Sequence, residues 1–243
     1  VNKKAKGKIG VLKADKTTGK GLAGAEFELY KGTVDKSNLI GKFTTNSDGK
    51  LAIDSLELGK YVLREIKAPE GYFIDKNNQD TEFNLEYKNQ TVEKIVVEKK
   101  ITNEKITTEV ELTKKDTMNL KNVAGATVEF ENVKTKEKKT AVTDKDGKIR
   151  IKLTYGEWVY KETIAPVRYV KAEKYGKINV TEHGATIKEV LWNQPITSDY
   201  ILTKQDTISK KALPNCEVKI VNAETGEEVF RGKTDQNGKI KVK

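Results

Sequence analysis

The chain repeats itself in tandem, and this repetition limits the possible folds more than any other feature of the sequence. The pattern apolar-x-Lys-x-Asp occurs three times, with its lysine at Lys13, Lys114 and Lys204. A spacing of about 100 residues suits tandem globular domains, each large enough for its own core, and is too long for solenoid repeats. A glycine turn follows each lysine at a similar distance. These turns are Asp48-Gly49-Lys50, Asp146-Gly147-Lys148 and Asn237-Gly238-Lys239.

Further marks occur only in the first two repeats. Glu65-Ile66-Lys67-Ala68-Pro69 in the first corresponds to Glu162-Thr163-Ile164-Ala165-Pro166 in the second, and the third repeat stops before this point. We therefore predict two complete domains and the N-terminal half of a third, truncated one. The expected boundaries are 1–106, 107–197 and 198–243.

The pattern of apolar residues is typical of β-strands. Runs such as Tyr61-Val62-Leu63-Arg64-Glu65 alternate apolar and polar residues with a period of two, and Asp-Gly pairs between such runs indicate hairpin turns. No long segment keeps a helical period. Several short strands per hundred residues predict an all-β fold of tandem β-sandwiches.

Composition excludes several classes of function. The net charge is +10, but 46 basic residues are interspersed with 36 acidic ones, lysine outnumbers arginine, and no aromatic platform accompanies the charge, so we expect no nucleic-acid partner. One cysteine permits no internal disulfide. No stretch has the length and hydropathy of a transmembrane helix, so this fragment is expected to contain no membrane span.

Strand parity turns a polar trio in each of the first two repeats toward the core. Because alternate side chains of a strand face the same way, Lys13 shares a face with Ile9 and Val11. Each of the other five trio residues likewise lies two positions after an apolar residue of its strand. A buried lysine or glutamate is rare unless it is paired or functional. The two trios are Lys13, Glu65 and Asn103, and Lys114, Glu162 and Asn193.

These residue types can form an amide bond between the lysine amine and the asparagine side chain, with loss of ammonia. Burial disfavours the charged amine, and a neutral amine is a nucleophile. An uncharged carboxyl group can donate a hydrogen bond to the amide carbonyl and carry protons to the departing ammonia. The alternative interpretation of each trio is a buried Lys–Glu ion pair beside a hydrogen-bonding asparagine. The recurrence of the whole trio in two repeats weakens that alternative.

The combined motifs resemble the Cna B-type (collagen-adhesin B-repeat, SpaA-like pilin) domains of pilins and adhesins on Gram-positive cell surfaces. The first repeat carries Lys13 and Asp15, then Glu65, Ala68-Pro69 and Gly71-Tyr72. The resemblance implies a sandwich of the inverse-immunoglobulin (prealbumin-like) type. It also implies spontaneous Lys–Asn isopeptide bonds with glutamate as catalyst. Carried over by position, these are Lys13–Asn103 with Glu65, and Lys114–Asn193 with Glu162.

Departures from the family pattern leave some points open. Arg168 stands where the family usually has glycine, and Lys204 has no matching glutamate or asparagine in this sequence, so we expect it to be an unpaired isopeptide lysine. Neither a Leu-Pro-x-Thr-Gly sorting signal nor a Tyr-Pro-Lys motif is present. Pilus shaft and adhesin stalk therefore both remain open.

The expected function is that of an extracellular structural segment, a stalk or shaft of a cell-wall-anchored pilus or adhesin whose anchor lies outside this fragment. Its partners would be other subunits or domains of the same surface assembly. The alternative is an adhesin module in which one domain itself contacts a host extracellular-matrix protein. An enzyme with an external substrate is not expected, because each buried trio would react once. No cofactor is expected.

Two other groups of polar residues lack the pattern of a metal site. His183 is the only histidine and cannot form a histidine cluster for zinc. The cluster Asp75, Asn77, Asn78 and Asp80 lacks the glycine and terminal glutamate of an EF-hand loop, so a solvated loop is the expectation. No metal is expected.

Overall fold

The structure, a computed structural model, describes residues 4–89 and 94–242. The chain divides into two compact units, Val1–Val167 with Lys171–Asn193, and Arg168–Val170 with Gln194–Lys243. The first unit contains two β-sandwiches, called the first and the second sandwich below. The other is called the C-terminal unit.

The first sandwich packs one antiparallel sheet on one mixed sheet. Their strand orders are β3-β2-β5-β7 and β4-β1-β8-β6. The first strand, β1, lies next to the last, β8, and the two run parallel along the whole of β1. The strands are β1 (Lys6–Asp15), β2 (Glu26–Lys31), β3 (Leu39–Thr44), β4 (Lys50–Leu56), β5 (Gly59–Lys67), β6 (Tyr72–Phe73), β7 (Asp80–Leu85) and β8 (Lys94–Lys105).

The second sandwich repeats this arrangement. Its sheets have the orders β11-β10-β13-β14 and β12-β9-β15, and the first and last strands are again parallel neighbours. The predicted all-β fold of tandem sandwiches is confirmed. The strands are β9 (Thr107–Asp116), β10 (Thr127–Asn132), β11 (Lys138–Val142), β12 (Lys148–Thr154), β13 (Gly156–Ile164), β14 (Tyr175–Val180) and β15 (Thr186–Asn193).

The C-terminal unit consists of two antiparallel strand pairs, β16 with β19 and β17 with β18. Ile240 and Val242 are buried, whereas Ile201 and Ile208 are 67% and 91% exposed. The unit thus buries much less of its apolar surface than either sandwich. Its strands are β16 (Tyr200–Thr203), β17 (Glu217–Val221), β18 (Glu228–Lys233) and β19 (Lys239–Val242).

Each sandwich has one apolar core between its sheets. Alternating residues of the strands supply it, as the period of two predicts. The first core is made of Ile9, Val11, Ala25, Phe27, Leu29, Leu51, Ile53, Leu56, Tyr61, Leu63, Phe83, Leu85 and Ile95. The second is made of Val110, Leu112, Val128, Phe130, Ile149, Leu153, Trp158, Tyr160, Ile178, Val180 and Leu191.

The repeated glycine turns pack directly against the repeated lysines. The Lys13 N–H donates to the carbonyl of Gly49 (2.8 Å), and the Lys13 carbonyl accepts from the N–H of Leu22 (2.8 Å). Gly147 holds Lys114 in the same way (2.8 Å), and Gly238 holds Lys204 (2.7 Å). Sequence marks that lie about 35 residues apart therefore meet at one point of each repeat.

A single residue joins the two sandwiches. Between β8 and β9 lies Ile106, whose N–H donates to the Gly71 carbonyl (2.8 Å) and whose carbonyl accepts from the Tyr155 N–H (3.1 Å). Nearby, the His183 ring stacks on Phe73 with centroids 3.8 Å apart and planes at 17°.

We predict that Gly49→Ala lowers the free energy of unfolding of the first sandwich by about 1–3 kcal/mol. Gly49 has φ of +76°, and a Cβ there would lie 2.4 Å from the Lys13 carbonyl oxygen, so the backbone around the lysine must shift. Urea unfolding of the full chain measures the effect.

The matched control is Gly24→Ala. Gly24 has nearly the same φ, +78°, but a Cβ there meets nothing within 4 Å, so only the cost of the left-handed backbone is added, about 1 kcal/mol. Equal losses in the two variants would contradict the close packing of Gly49 on the lysine strand.

Candidate functional site

Parallel pairing of the first and last strands brings the lysine and the asparagine of each trio together. In the first sandwich, Lys13 is in register with Ile101, and Asp15 is in register with Asn103. Lys13 and Asn103 therefore lie two positions apart on adjacent strands and face the same core. Glu65 reaches this point from β5 in the facing sheet.

The carboxylate of Glu65 bridges the two nitrogen atoms of the first site. Lys13 Nζ donates to Glu65 Oε2 (2.6 Å), and Asn103 Nδ2 donates to Glu65 Oε1 (2.9 Å). The exposed fractions of Lys13, Glu65 and Asn103 are 0%, 3% and 5%. The amine, the acid and the amide thus form one hydrogen-bonded chain shielded from water.

The second site brings together the corresponding residues with a different hydrogen-bond pattern. Glu162 Oε2 accepts from Asn193 Nδ2 (2.8 Å) and from the backbone N–H of Ala172 (2.6 Å). Glu162 Oε1 lies 3.3 Å from Lys114 Nζ as an ion pair without hydrogen-bond geometry. All three side chains of this trio are buried. The burial predicted from strand parity is confirmed for both trios.

Burial also changes the electrostatics of the lysines. Desolvation lowers the pKa of Lys13 from its ordinary value and outweighs the opposing hydrogen bond and charge of Glu65. The pKa of Lys114 is lowered for the same reason, against the opposing charge of Glu162. A lower pKa increases the fraction of neutral amine, which is the form that can attack a carbonyl carbon.

Asp15 and Tyr72 form a further, part-buried contact at the first site. Asp15 Oδ1 accepts from the N–H groups of Thr17 (2.8 Å) and Thr18 (2.7 Å), and Asp15 Oδ2 accepts from the Tyr72 hydroxyl (2.7 Å). Sequence reasoning noted both residues as family marks but gave them no role. Their fixed places in Lys-x-Asp and Ala-Pro-x-Gly-Tyr were the available signal.

The other polar groups considered in the sequence have structural partners. Asp75 accepts from the N–H of Asn77 (3.0 Å) and from Asn78 Nδ2 (2.6 Å), while Asp80 forms a two-point ion pair with Arg64 (2.7 Å for each hydrogen bond). His183 Nδ1 accepts from the Thr107 N–H (3.3 Å). In residues 4–89 and 94–242, no three His, Cys, Asp or Glu side chains converge as a metal site.

The fold defines a class of protein, the tandem prealbumin-like β-sandwich proteins. The chain matches the SpaA family, described as a prealbumin-like fold domain, over residues 7–102 and 108–195. The chain belongs to this family, whose domains are found in pilins and adhesins. Among the helices of the described segments, none has the length and apolar character to cross a membrane.

Individual relatives agree with this assignment. A stretch of 77 residues is 39% identical to the collagen adhesin of Staphylococcus aureus and covers 30% of this chain and 6% of that protein. The Bacillus anthracis TIE protein is 28% identical, with a TM-score of 0.81, over 98% of this chain and 43% of that one. The chain therefore spans less than half the length of either relative.

A third similarity supports the fold alone. The C-terminal fragment of the pilus adhesin SpaC from Lactobacillus rhamnosus GG is 17% identical, with a TM-score of 0.53. The match covers 79% of this chain and 98% of the fragment.

We predict that the Asp15 carboxyl group titrates near pH 2. Burial raises the pKa of Asp15, but the hydrogen bonds from Thr18, Tyr72 and Thr17 outweigh it and bring the pKa from 3.8 to about 2. Because the folded-state pKa is depressed, the ionised group stabilises the fold fully above about pH 4, and this contribution of about 2 kcal/mol is lost as the pH falls through 2.

The side-chain carboxyl ¹³C shift of Asp15, followed by NMR against pH, measures this value. Tyr72→Phe is expected to raise the midpoint, since it removes one donor, and Tyr61→Phe is expected to leave it unchanged, since that hydroxyl donates to the Glu57 carbonyl instead. A midpoint at the ordinary value in the unaltered chain would contradict these hydrogen bonds to Asp15.

Proposed function

We propose that this chain is a structural stalk or shaft segment of a cell-wall-anchored pilus or adhesin, stabilised by isopeptide bonds that it forms by itself. The bonds join Lys13 to Asn103 and Lys114 to Asn193. The observation that carries the proposal is the buried glutamate that contacts both a lysine amine and an asparagine amide in each sandwich.

The proposed reaction balances without any co-reactant. Lysine Nζ attacks asparagine Cγ, the new Nζ–Cγ bond forms, and the Cγ–Nδ2 bond breaks. A proton leaves Nζ, passes through the glutamate and arrives at Nδ2, which departs as ammonia. Glu65 supports this route because its two oxygens lie at hydrogen-bond distance from the nitrogen that loses a proton and the nitrogen that gains one. Each site reacts once, so the chain is not an enzyme with turnover.

The parallel arrangement gives these bonds a mechanical role. Tension that enters at the start of β1 and leaves at the end of β8 would shear these two strands against each other. A bond between Lys13 and Asn103 sits near the C-terminal ends of both strands and would carry that tension directly. The core strands β2 to β7 would then lie within a closed loop that bears no load.

The domain boundaries belong to the same proposal. We assign 1–106 and 107–197 to the two isopeptide domains and 198–243 to the N-terminal half of a third. Lys204 has the same backbone bonds to a glycine turn as Lys13 and Lys114, but its side chain is exposed. We propose that Lys204 stays unreacted in this chain.

An adhesive role is the second candidate. The similarity to the collagen adhesin favours a domain surface that itself contacts a host matrix protein, although the match covers only a small part of that relative. Binding of the full chain to immobilised collagen tests it, with an unrelated matrix protein as control. On either reading the chain acts outside the cell, with other subunits or domains of the same surface assembly as its partners.

The reaction predicts a defined mass deficit. The unaltered chain should be lighter than its sequence mass by two molecules of ammonia, and Glu65→Ala should be lighter by one, because only the second site would still react. Intact-mass spectrometry gives the deficit, and a tryptic map assigns each linked pair of peptides. Glu57→Ala, which changes an exposed glutamate, should keep both bonds. A full-mass chain, or two bonds in Glu65→Ala, would contradict the proposal.

The mechanical role predicts how the chain extends under force. Between Lys13 and Asn103 lie about 90 residues, which would add about 300 Å if they were pulled straight. Single-molecule pulling should show no such extension in the unaltered chain, and Asn103→Ala should release it because no bond can form. Extension of this loop in a chain whose ammonia loss has been verified would contradict the proposed path of tension.

A further inference from the structure

The contact between Asp15 and Tyr72 spans the strand that carries Asn103. The sheet order is β1-β8-β6, so β8 lies between the strand that ends at Asp15 and the strand that contains Tyr72. Tyr72 is in register with Lys105 on β8, and Asp15 is in register with Asn103. The hydrogen bond from the Tyr72 hydroxyl to Asp15 therefore passes over β8 and connects β6 with the end of β1.

Asp15 also fixes the end of the lysine strand. Its side chain accepts two backbone N–H groups from the turn that follows β1, and the N–H of Lys16 donates to the Asn103 carbonyl (2.9 Å). This bond holds the chain just after β1 against the backbone of β8, three residues after Lys13 and one residue beyond Asp15, which is in register with Asn103.

Tyr72 also lies at the end of the segment that leaves the glutamate strand. The short segment between Lys67, at the end of β5, and Tyr72, at the start of β6, crosses from one sheet to the other. A turn shapes this crossing, because the Tyr72 N–H donates to the Pro69 carbonyl (3.1 Å) and Gly71 has φ of +84°. Glu65 lies two residues before the end of β5, so the hydrogen bond of Tyr72 to Asp15 fixes the far end of the crossing that begins next to Glu65.

We propose that Asp15 and Tyr72 are a positioning pair, whose hydrogen bond holds the lysine strand, the asparagine strand and the glutamate crossing in the arrangement that lets the bond form. This inference rests on the proposed isopeptide reaction. Neither residue touches the reacting atoms in the way that Glu65 does. They act through the backbones that carry Lys13, Asn103 and Glu65.

The main test is the rate of bond formation in Tyr72→Phe, which removes only the hydroxyl. The full chain is made by cell-free translation, samples are stopped with acid at successive times, and mass spectrometry of digests follows the linked peptides of each site. We expect the Lys13–Asn103 bond to form about ten-fold more slowly, as for the loss of a hydrogen bond to a charged group. The Lys114–Asn193 bond in the same molecule should form at its usual rate.

Tyr61→Phe is the matched control. It removes a tyrosine hydroxyl of the same sandwich that donates to the Glu57 carbonyl (2.9 Å), away from the trio. Both variants are expected to shift the urea midpoint by similar amounts when the bond is absent, in an Asn103→Ala background. Only Tyr72→Phe should slow the reaction, whereas a general effect on stability would slow it equally in both variants and would overturn the inference.

Substitutions of Asp15 test whether a conservative change preserves the rate of Lys13–Asn103 bond formation. Asp15→Asn keeps an oxygen for the Thr17 and Thr18 N–H groups, and its amide nitrogen can donate to the Tyr72 hydroxyl, so the rate should stay within a few-fold of the unaltered chain. Asp15→Ala should be at least as slow as Tyr72→Phe, because it also removes the acceptor for the Thr17 and Thr18 N–H groups. The double variant should be no slower than Asp15→Ala, because the contact with Tyr72 is already lost there. Equal rates of Lys13–Asn103 bond formation in Asp15→Asn and Asp15→Ala would overturn the inference. This comparison remains decisive even if Tyr72→Phe fails to fold.

The outcomes separate the two proposals. If the unaltered chain forms neither bond, the isopeptide function itself is wrong. If both bonds form and Tyr72→Phe closes the first at the usual rate, the function stands and the positioning role is wrong.

Discussion

The parallel pairing of the first and last strands is the constraint on which the rest of each sandwich depends. Parallel neighbours need a long crossover, and here the crossover is the remainder of the sandwich. The pairing sets the termini at opposite ends of the fold and fixes the register that puts Lys13 diagonally beside Asn103. The same register recurs between β9 and β15 for Lys114 and Asn193. The site is thus a consequence of topology.

The lysine is also the point where the repeated sequence marks converge. Its N–H and carbonyl are bound by Gly49 and Leu22, and its amine is bound by Glu65. The charged form of such a buried group is costly, and the pKa of Lys13 is lowered accordingly. The surrounding structure therefore holds in place a residue whose charged form is costly in the core. The proposed amide would remove that cost, because an amide carries no charge.

Much of this arrangement could be read from the sequence, and the limits have physical causes. Period-two alternation was enough to predict that all six trio residues are buried, because parity is a local property of a strand. The hydrogen bond from Tyr72 to Asp15 was not predictable, since it depends on β6 and β1 lying on either side of β8. The N–H of Ala172, which binds Glu162, was missed because it belongs to an irregular segment without periodicity. Backbone donors leave no signature in residue types.

The joint at Ile106 has a consequence for larger assemblies of such repeats. Both backbone hydrogen-bonding groups of this residue are bound, one to Gly71 before it and one to Tyr155 after it. With a single residue between β8 and β9, only two soft dihedral angles are available there, and those hydrogen bonds restrict both. Swivelling of one sandwich about its neighbour would require breaking these bonds. Inserting a glycine at this position would add two dihedral angles to the connection. A twist applied to one sandwich would then no longer be transmitted to its neighbour.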